Sequence, residues 1–180
     1  ACGTFFVFSD YMKPAIRMAA LMRVPIKFVW SHDAFRVGED GPTHEPVEQE
    51  AQIRLMEKLK NHKGQDSVRV FRPADADETT VCWQMANENM DTPTAMICSR
   101  QNVNSLPEGT DYSQVRKGAY IVKDDPNYDV ILLASGSEVS TLLAGAELLN
   151  ADGIKTRIVS VPSEGLFRTQ SKEYQESILP

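Results

Sequence analysis

The sequence predicts an α/β fold in which helices flank a parallel sheet, followed by the beginning of a second α/β domain. Short apolar runs with strand composition alternate with segments of helical composition, which is typical of parallel sheets. A polar stretch rich in Gly, Pro and Ser interrupts this alternation between residues 102 and 114, and the alternation then resumes. The composition, with 42% hydrophobic and 24% charged residues, is that of a globular protein.

The first series of elements contains three helices and three strands. Apolar residues at helical spacing predict a helix from Asp10 onwards, in which Pro14 starts or kinks the regular part. The segment that begins at Asp75 opens with acids suited to capping a helix N-terminus. The predicted elements are, in chain order, DYMKPAIRMAALMR (helix), VPIKFVW (strand), PVEQEAQIRLMEKL (helix), VRVF (strand), DADETTVCWQMANEN (helix) and TAMICS (strand).

The second series begins after the polar stretch. GAYIV, DVILLAS and TRIVSV have strand composition, and SEVSTLLAGAELLNADG is an amphipathic helix that Gly153 is expected to end. We therefore expect a first domain over residues 1–104, a linker over residues 105–117 and the first part of a second domain over residues 118–180.

The bulk properties exclude several classes of protein. A net charge of −6 argues against nucleic acid or an anionic membrane as the main partner. The three cysteines are odd in number and far apart, which predicts no disulfide framework and indicates the reducing cytoplasm. No segment has the length of a membrane span or the pattern of a signal peptide. Because the sequence runs from its first residues straight into aromatic ones, we expect a fragment.

One loop concentrates titratable side chains directly after the strand VPIKFVW. His32, Asp33, Glu39, Asp40 and His44 could bind and orient a polar substrate that exchanges protons. The glycines and the proline between them would form tight turns that let the backbone approach a ligand. The alternative is a solvated polar loop without a function. A zinc site is less favoured, since the two histidines lack the i, i+4 spacing of a helical metal pair and no third ligand is evident.

Three aromatic residues precede this loop. Phe5, Phe8 and Tyr11 recur at every third position, which on a helix would place them in one stripe. Such a stripe most often belongs to a hydrophobic core. The alternative is a face on which a flat heteroaromatic ring stacks.

Two further segments could bind an anion. Arg100 follows TAMICS, so its guanidinium should emerge at the carboxyl end of a strand, where open α/β sheets bind ligands. Its donors suit a phosphate or carboxylate, and a surface salt bridge is the alternative. The turn SGSE, Ser135 to Glu138, could hold an anion at a helix N-terminus, but it lacks a full phosphate-loop pattern, which favours helix capping.

Taken together, these motifs resemble transketolase. The resemblance extends over the whole chain and is strongest in one string of the loop, HDAFRVGEDGPTHEP. The other matching segments are GTFFVFSDYMKPAIRMAALM, FRPAD, SRQN, GAYIVKD, ASGSEV and IVSVPSEGLF. Three departures do not touch the matching polar residues: Phe35 with Arg36, Glu45, and a longer segment from about Arg54 to Arg69.

The resemblance implies part of a thiamine-diphosphate-binding fold and an enzyme of the pentose phosphate pathway. Such an enzyme transfers a two-carbon ketol unit from a ketose phosphate to an aldose phosphate. It implies that Phe5, Phe8 and Tyr11 surround the aminopyrimidine ring of thiamine diphosphate, and that His32 and Arg100 hold the sugar phosphate. It also implies that Asp40 reads the configuration of a substrate hydroxyl and that His44 transfers protons near the reacting carbons.

The resemblance further implies Mg²⁺, a homodimer and a cytoplasmic location for the parent enzyme. The domain that binds diphosphate and Mg²⁺ has no counterpart in this sequence, so we expect the 180-residue chain alone to be inactive. Two alternatives stay open. The parent could be another thiamine-dependent synthase that transfers ketol or acyl units, or the chain could be a separate subunit or a non-catalytic interaction module.

Overall fold

A computed structural model describes residues 1–180 apart from the side chain of Glu39, and the chain divides into two compact units. Unit 1 comprises residues 1–71 and 82–102, and unit 2 comprises residues 72–81 and 103–180. The boundaries at residues 104 and 118 stay a prediction. Within the described part of the chain, no helix is long and apolar enough to cross a bilayer.

Unit 1 contains the predicted parallel sheet. Its order is β1-β2-β4-β3, and every neighbouring pair is parallel. The α/β class with a parallel sheet is therefore confirmed. The strands are β1 (Cys2–Phe5), β2 (Lys27–Ser31), β3 (Arg69–Phe71) and β4 (Thr94–Ile97).

The three predicted helices of the first series are present. They are α1 (Ser9–Met22), α2 (Gln49–Lys58) and α3 (Ala76–Glu88). Pro14 lies inside α1 rather than at its start. The capping acid is confirmed, since Asp75 Oδ1 accepts a hydrogen bond of 2.8 Å from the backbone N–H of Glu78.

The core of unit 1 is formed by residues of its sheet, of α1 and of α2. Phe28 and Trp30 alternate with half-buried residues along β2 and point to the same face, where Phe6 and Ile16 are fully buried. Trp30 Nε1 donates to Met12 Sδ over 3.2 Å, which fastens the first half of α1 to the sheet. This packing supports the edge of the sheet at which β1 and β2 end.

Unit 2 contains a mixed sheet. The order is β5-β7-β6, with β6 and β7 parallel but β5 antiparallel to β7. No helix connects β5 to β6, so the chain reverses direction in a short turn where Asn127 has a φ of 54°. The strands are β5 (Tyr120–Asp124), β6 (Val130–Ala134) and β7 (Thr156–Ser160).

Three α-helices and a 3-10 helix complete unit 2. As predicted, the long helix ends just before Gly153, whose φ is 82°. The helices are α4 (Glu138–Ala151), α5 (Glu164–Arg168), α6 (Lys172–Ile178) and the 3-10 helix Tyr112–Lys117.

The guanidinium of Arg72 occupies the turn before α4, where a capping side chain was expected. The Arg72 guanidinium donates to the Ser135 carbonyl over 3.1 Å and to both Glu138 carboxylate oxygens over 2.8 Å. The Ser137 side chain makes no capping hydrogen bond, because its backbone is already helical instead of extended. The expectation of side-chain capping at SGSE was therefore wrong, and the arginine occupies this turn.

A fully buried carboxyl group anchors the first part of α3, residues 76–81, within unit 2. Glu78 Oε1 accepts hydrogen bonds from Tyr120 Oη at 2.8 Å and from Ser160 Oγ at 2.6 Å, while Oε2 accepts from the Ala74 N–H at 2.7 Å. Burial raises the pKa of Glu78 above its ordinary value, and the charge of Asp75 adds to the rise, although the three hydrogen bonds oppose it.

We expect this carboxyl group to make stability depend on pH. Because the folded-state pKa of Glu78 is raised, the protonated group contributes stability that is fully present below about pH 4.5 and is lost as the pH rises through the folded-state pKa. Urea unfolding of the wild type and of Glu78→Gln across this range should show the wild type losing free energy of unfolding relative to the variant as the pH rises. Parallel curves for the two proteins would contradict this assignment.

Candidate functional site

The candidate site lies at the carboxyl edge of the unit 1 sheet. Phe5 ends β1 opposite Ser31, which ends β2, and Trp30 of β2 lies opposite Ile97 at the end of β4. The loop with both histidines and the segment with Arg100 therefore leave the sheet at one edge. This is the edge at which open α/β sheets bind ligands.

The aromatic residues form a row of rings, but not on a single helix. Phe5 ends β1, Phe8 ends the 3-10 helix Phe6–Phe8, and Tyr11 lies in α1. The Phe5 and Phe8 rings stack with centroids 6.2 Å apart, and the Phe8 and Tyr11 rings do likewise. Phe5 and Phe8 are half-buried and Tyr11 is 83% exposed, whereas the neighbouring Phe6 is in the core. The prediction of a helical stripe was wrong in geometry, and these rings offer an accessible aromatic face.

His32 lies flat against this row. Its ring is 3.6 Å from the Phe5 ring, centroid to centroid, at an interplanar angle of 17°. His32, Ala34 and Arg36 have φ values of 62°, 107° and 63°, a region that non-glycine residues rarely adopt. Each such conformation costs about 1–3 kcal/mol, so this loop is strained.

Asp40 is at the centre of the charged groups. Its Oδ2 lies 3.9 Å from His32 Nε2 and 3.9 Å from Arg100 Nε, so the structure brings these three predicted residues together. Both distances are too long for hydrogen bonds. Among the residues whose side chains are described, none hydrogen-bonds to this buried oxygen. An acceptor of this kind suits a ligand that brings its own donor.

His44 approaches the aromatic row from its edge. Its ring makes T-shaped contacts with Phe8 at 5.2 Å and with Phe5 at 6.0 Å between centroids. The structure thus places His44 beside the same rings as His32. Ring contacts with Phe5 and ion pairs with Asp40 connect six of the seven predicted site residues, with Phe5 and Asp40 themselves included. The seventh, Tyr11, stacks on Phe8.

The other two acids of the loop lie differently. Asp33 is buried. Burial of the Cys98 thiol, with a smaller contribution from the charge of Asp33, raises the pKa of this thiol to about 11, so Cys98 stays protonated at neutral pH. The side chain of Glu39 lies outside the described residues. In the described part of the chain, no three His, Cys, Asp or Glu side chains are grouped so as to hold a metal ion.

Two hydroxyl groups belong to the site and were missed from the sequence. Ser31 Oγ lies 2.9 Å from His32 Nδ1, and Thr43 Oγ1 lies 2.7 Å from His44 Nδ1. The available signal was that each hydroxyl residue directly precedes a histidine. The assembled site therefore offers imidazole and guanidinium donors, one unsatisfied carboxylate oxygen and an aromatic face, which suits a polyhydroxy anion beside a flat ring.

Comparison with known families gives a consistent match. The family "Transketolase, pyrimidine binding domain" matches residues 1–105, and the family "Transketolase-like TK C-terminal domain" matches residues 118–180. The transketolase of Halalkalibacterium halodurans is 49% identical over 181 residues, which cover 99% of this chain and 26% of that protein.

Solved structures agree with the sequence match. The transketolase of Pichia stipitis in complex with sedoheptulose-7-phosphate matches with a TM-score of 0.87 and 38% identity, over 99% of this chain and 25% of that one. The transketolase of Leishmania mexicana matches with a TM-score of 0.88 and 39% identity over the same shares. The chain thus spans about a quarter of the length of these relatives.

Proposed function

We propose, because this chain belongs to the transketolase family, that it forms the sugar-phosphate-binding part of an enzyme that transfers a two-carbon ketol unit from a ketose phosphate to an aldose phosphate. The observation that carries this proposal is the buried Asp40 Oδ2, which lies 3.9 Å from both an imidazole and a guanidinium beside an aromatic row. Sugar hydroxyls are the donors that such an oxygen lacks.

Thiamine diphosphate is the cofactor that this function requires, and when bound it would supply the electron sink for cleaving and forming carbon–carbon bonds. The residues present fit its ring, since Tyr11 is largely exposed and the Phe8 ring continues the same face. We propose that Phe5, Phe8 and Tyr11 hold the aminopyrimidine. Mg²⁺ and the diphosphate would be held mainly by the part of the relatives' length that these 180 residues do not span.

The polar residues have different proposed roles in binding and reaction. We propose that His32 and Arg100 hold the phosphorylated substrate, because both carry donors at the carboxyl edge of the sheet. Asp40 would accept a hydrogen bond from a substrate hydroxyl of one configuration. His44, which is packed edge-on against Phe5 and Phe8, would donate a proton near the reacting carbons.

The biological setting is also proposed. The pentose phosphate pathway is the setting that the ketol-transfer reaction implies, and the second subunit of a homodimer is the expected partner. A cytoplasmic location is supported by three cysteines that are all free thiols.

A ketol-transfer assay tests this proposal. A protein that carries this chain within the full length of its relatives should convert a ketose phosphate and an aldose phosphate when thiamine diphosphate and Mg²⁺ are added. The 180-residue chain alone should show no turnover under the same conditions. A full-length protein that binds the cofactor but transfers no ketol unit would refute the function, and turnover by the isolated chain would refute its predicted inactivity.

A further inference from the structure

Both histidines of the site share one arrangement. Each has its Nδ1 within hydrogen-bond distance of the hydroxyl of the residue directly before it, at 2.9 Å for Ser31 and His32 and at 2.7 Å for Thr43 and His44. The third histidine, His62, follows Asn61 and is exposed, with no described hydrogen bond to a neighbouring hydroxyl. The hydroxyl contact is thus a feature of the two site histidines.

The direction of these hydrogen bonds decides which nitrogen carries the proton. A neutral imidazole has one N–H, so a ring whose Nδ1 accepts from a hydroxyl must carry its proton on Nε2. His32 Nε2 faces Asp40 Oδ2, a carboxylate oxygen that can only accept. At 3.9 Å this oxygen is too far away to accept a hydrogen bond from Nε2, so the contact with Ser31 is the one that can set the tautomer of His32.

The same choice applies to His44 and its hydroxyl partner. Among the described side chains, the imidazole is the hydrogen-bond partner found for Thr43 Oγ1, and it is also the one found for Ser31 Oγ. With the hydroxyl as donor in both contacts, each Nδ1 accepts and each ring proton lies on Nε2.

We propose that Ser31 and Thr43 are positioning residues that hold His32 and His44 in the tautomer with the proton on Nε2, so that both imidazoles present hydrogen-bond donors to the substrate. This inference rests on the proposed function. The phosphate, carbonyl and hydroxyl oxygens of a ketose phosphate all accept hydrogen bonds, and two Nε2–H donors complement them. Asp40 supplies the opposite polarity, since it accepts from a hydroxyl.

Stacking alone cannot select the nitrogen that faces the substrate. The Phe5 ring fixes the plane of the His32 imidazole, but a ring flipped by about 180° would occupy nearly the same plane. The Phe8 edge contact constrains His44 in a similar way. The hydroxyl partner distinguishes the two orientations, because it places Nδ1 on its own side.

Nitrogen NMR of ¹⁵N-histidine-labelled protein tests the assignment directly, without substrate. In the wild type, we expect His32 and His44 to show an unprotonated Nδ1 and a protonated Nε2 at a pH where both rings are neutral, with His62 as the internal reference. Ser31→Ala should mix the tautomers of His32 alone, and Thr43→Val those of His44 alone. The conservative variants Ser31→Thr and Thr43→Ser should restore the wild-type signals.

Activity of the full-length protein provides a second readout. Loss of either hydroxyl should lower kcat/KM about 10-fold, and the conservative variants should stay within about 2-fold of the wild type. A wild-type spectrum with the proton on Nδ1 would overturn the inference even if the variants fail to fold. Correct tautomers without ketol transfer would reject the proposed function alone, whereas ketol transfer with the opposite tautomers would reject this inference alone.

Discussion

Gly118→Ala is expected to lower the free energy of unfolding of unit 2 by about 3–5 kcal/mol. The φ of Gly118 is +84°, and an added Cβ would lie 2.4 Å from both the Phe167 nitrogen and the Ser163 carbonyl oxygen. These backbone atoms cannot easily move, because the Ser163 N–H donates to the Gly118 carbonyl and the Phe167 N–H donates to the Ser163 carbonyl. Urea unfolding followed by circular dichroism measures the change.

Gly109→Ala is the matched control for this prediction. Gly109 has nearly the same backbone angle, with φ +86°, but no atom lies within 4 Å of the position of an added Cβ. This variant should lower the free energy of unfolding by about 1 kcal/mol, because only the left-handed backbone conformation disfavours alanine there. Equal losses for the two alanine variants would show that the close approach at Gly118 does not determine the stability of this turn.

The elements that the sequence predicted well are those with strong local signals. β2 and β4 are short apolar runs, and α3 begins at the capping acid Asp75, so composition and capping identify them without knowledge of the tertiary structure. Arg100 was placed correctly after a strand because a polar residue that follows a buried run must leave the sheet there. In each case the physical cause lies within about ten residues of the element.

The elements that the sequence did not predict depend on distant contacts. Three of the four residues of β1 are exposed, so this edge strand lacks the alternating burial pattern of a strand, and the aromatic spacing at its end resembles a helix. The turn at Ser135 is filled by Arg72, and the antiparallel pairing of β5 with β7 depends on a connection that lacks a helix. The cation that fills a turn and the strand that pairs with β5 are not encoded locally, although the short connection over residues 125–129 is a local signal that the chain reverses direction.

The same distinction applies to the candidate site. Residue types indicated which side chains could bind a polar substrate, but not that the His32 ring lies 3.6 Å from the Phe5 ring or that Asp40 Oδ2 is equidistant from His32 and Arg100. Those relations arise where β1, β2 and β4 end together. The sequence therefore predicts the components of the site, and the sheet register determines their arrangement.

Asp40→Ala in the full-length protein is expected to lower kcat/KM about 100-fold for a ketose phosphate whose hydroxyl matches the site. The variant removes a buried acceptor oxygen that has no hydrogen-bond partner among the described residues, and a hydrogen bond to a charged group contributes up to about 3 kcal/mol. The kcat/KM for a ketose phosphate with the opposite configuration at that carbon should change little, so the discrimination between the two sugars should fall. Steady-state kinetics with both ketose phosphates measures the ratio of the two kcat/KM values.

Asp40→Asn separates the charge of this residue from its shape. The amide keeps the volume and one acceptor oxygen, so we expect a smaller loss of discrimination than in the alanine variant. The Kd for thiamine diphosphate should change less than about 2-fold in both variants, because the aromatic row rather than Asp40 would hold the ring. If cofactor affinity falls as much as kcat/KM, Asp40 maintains the site as a whole and does not read the substrate hydroxyl.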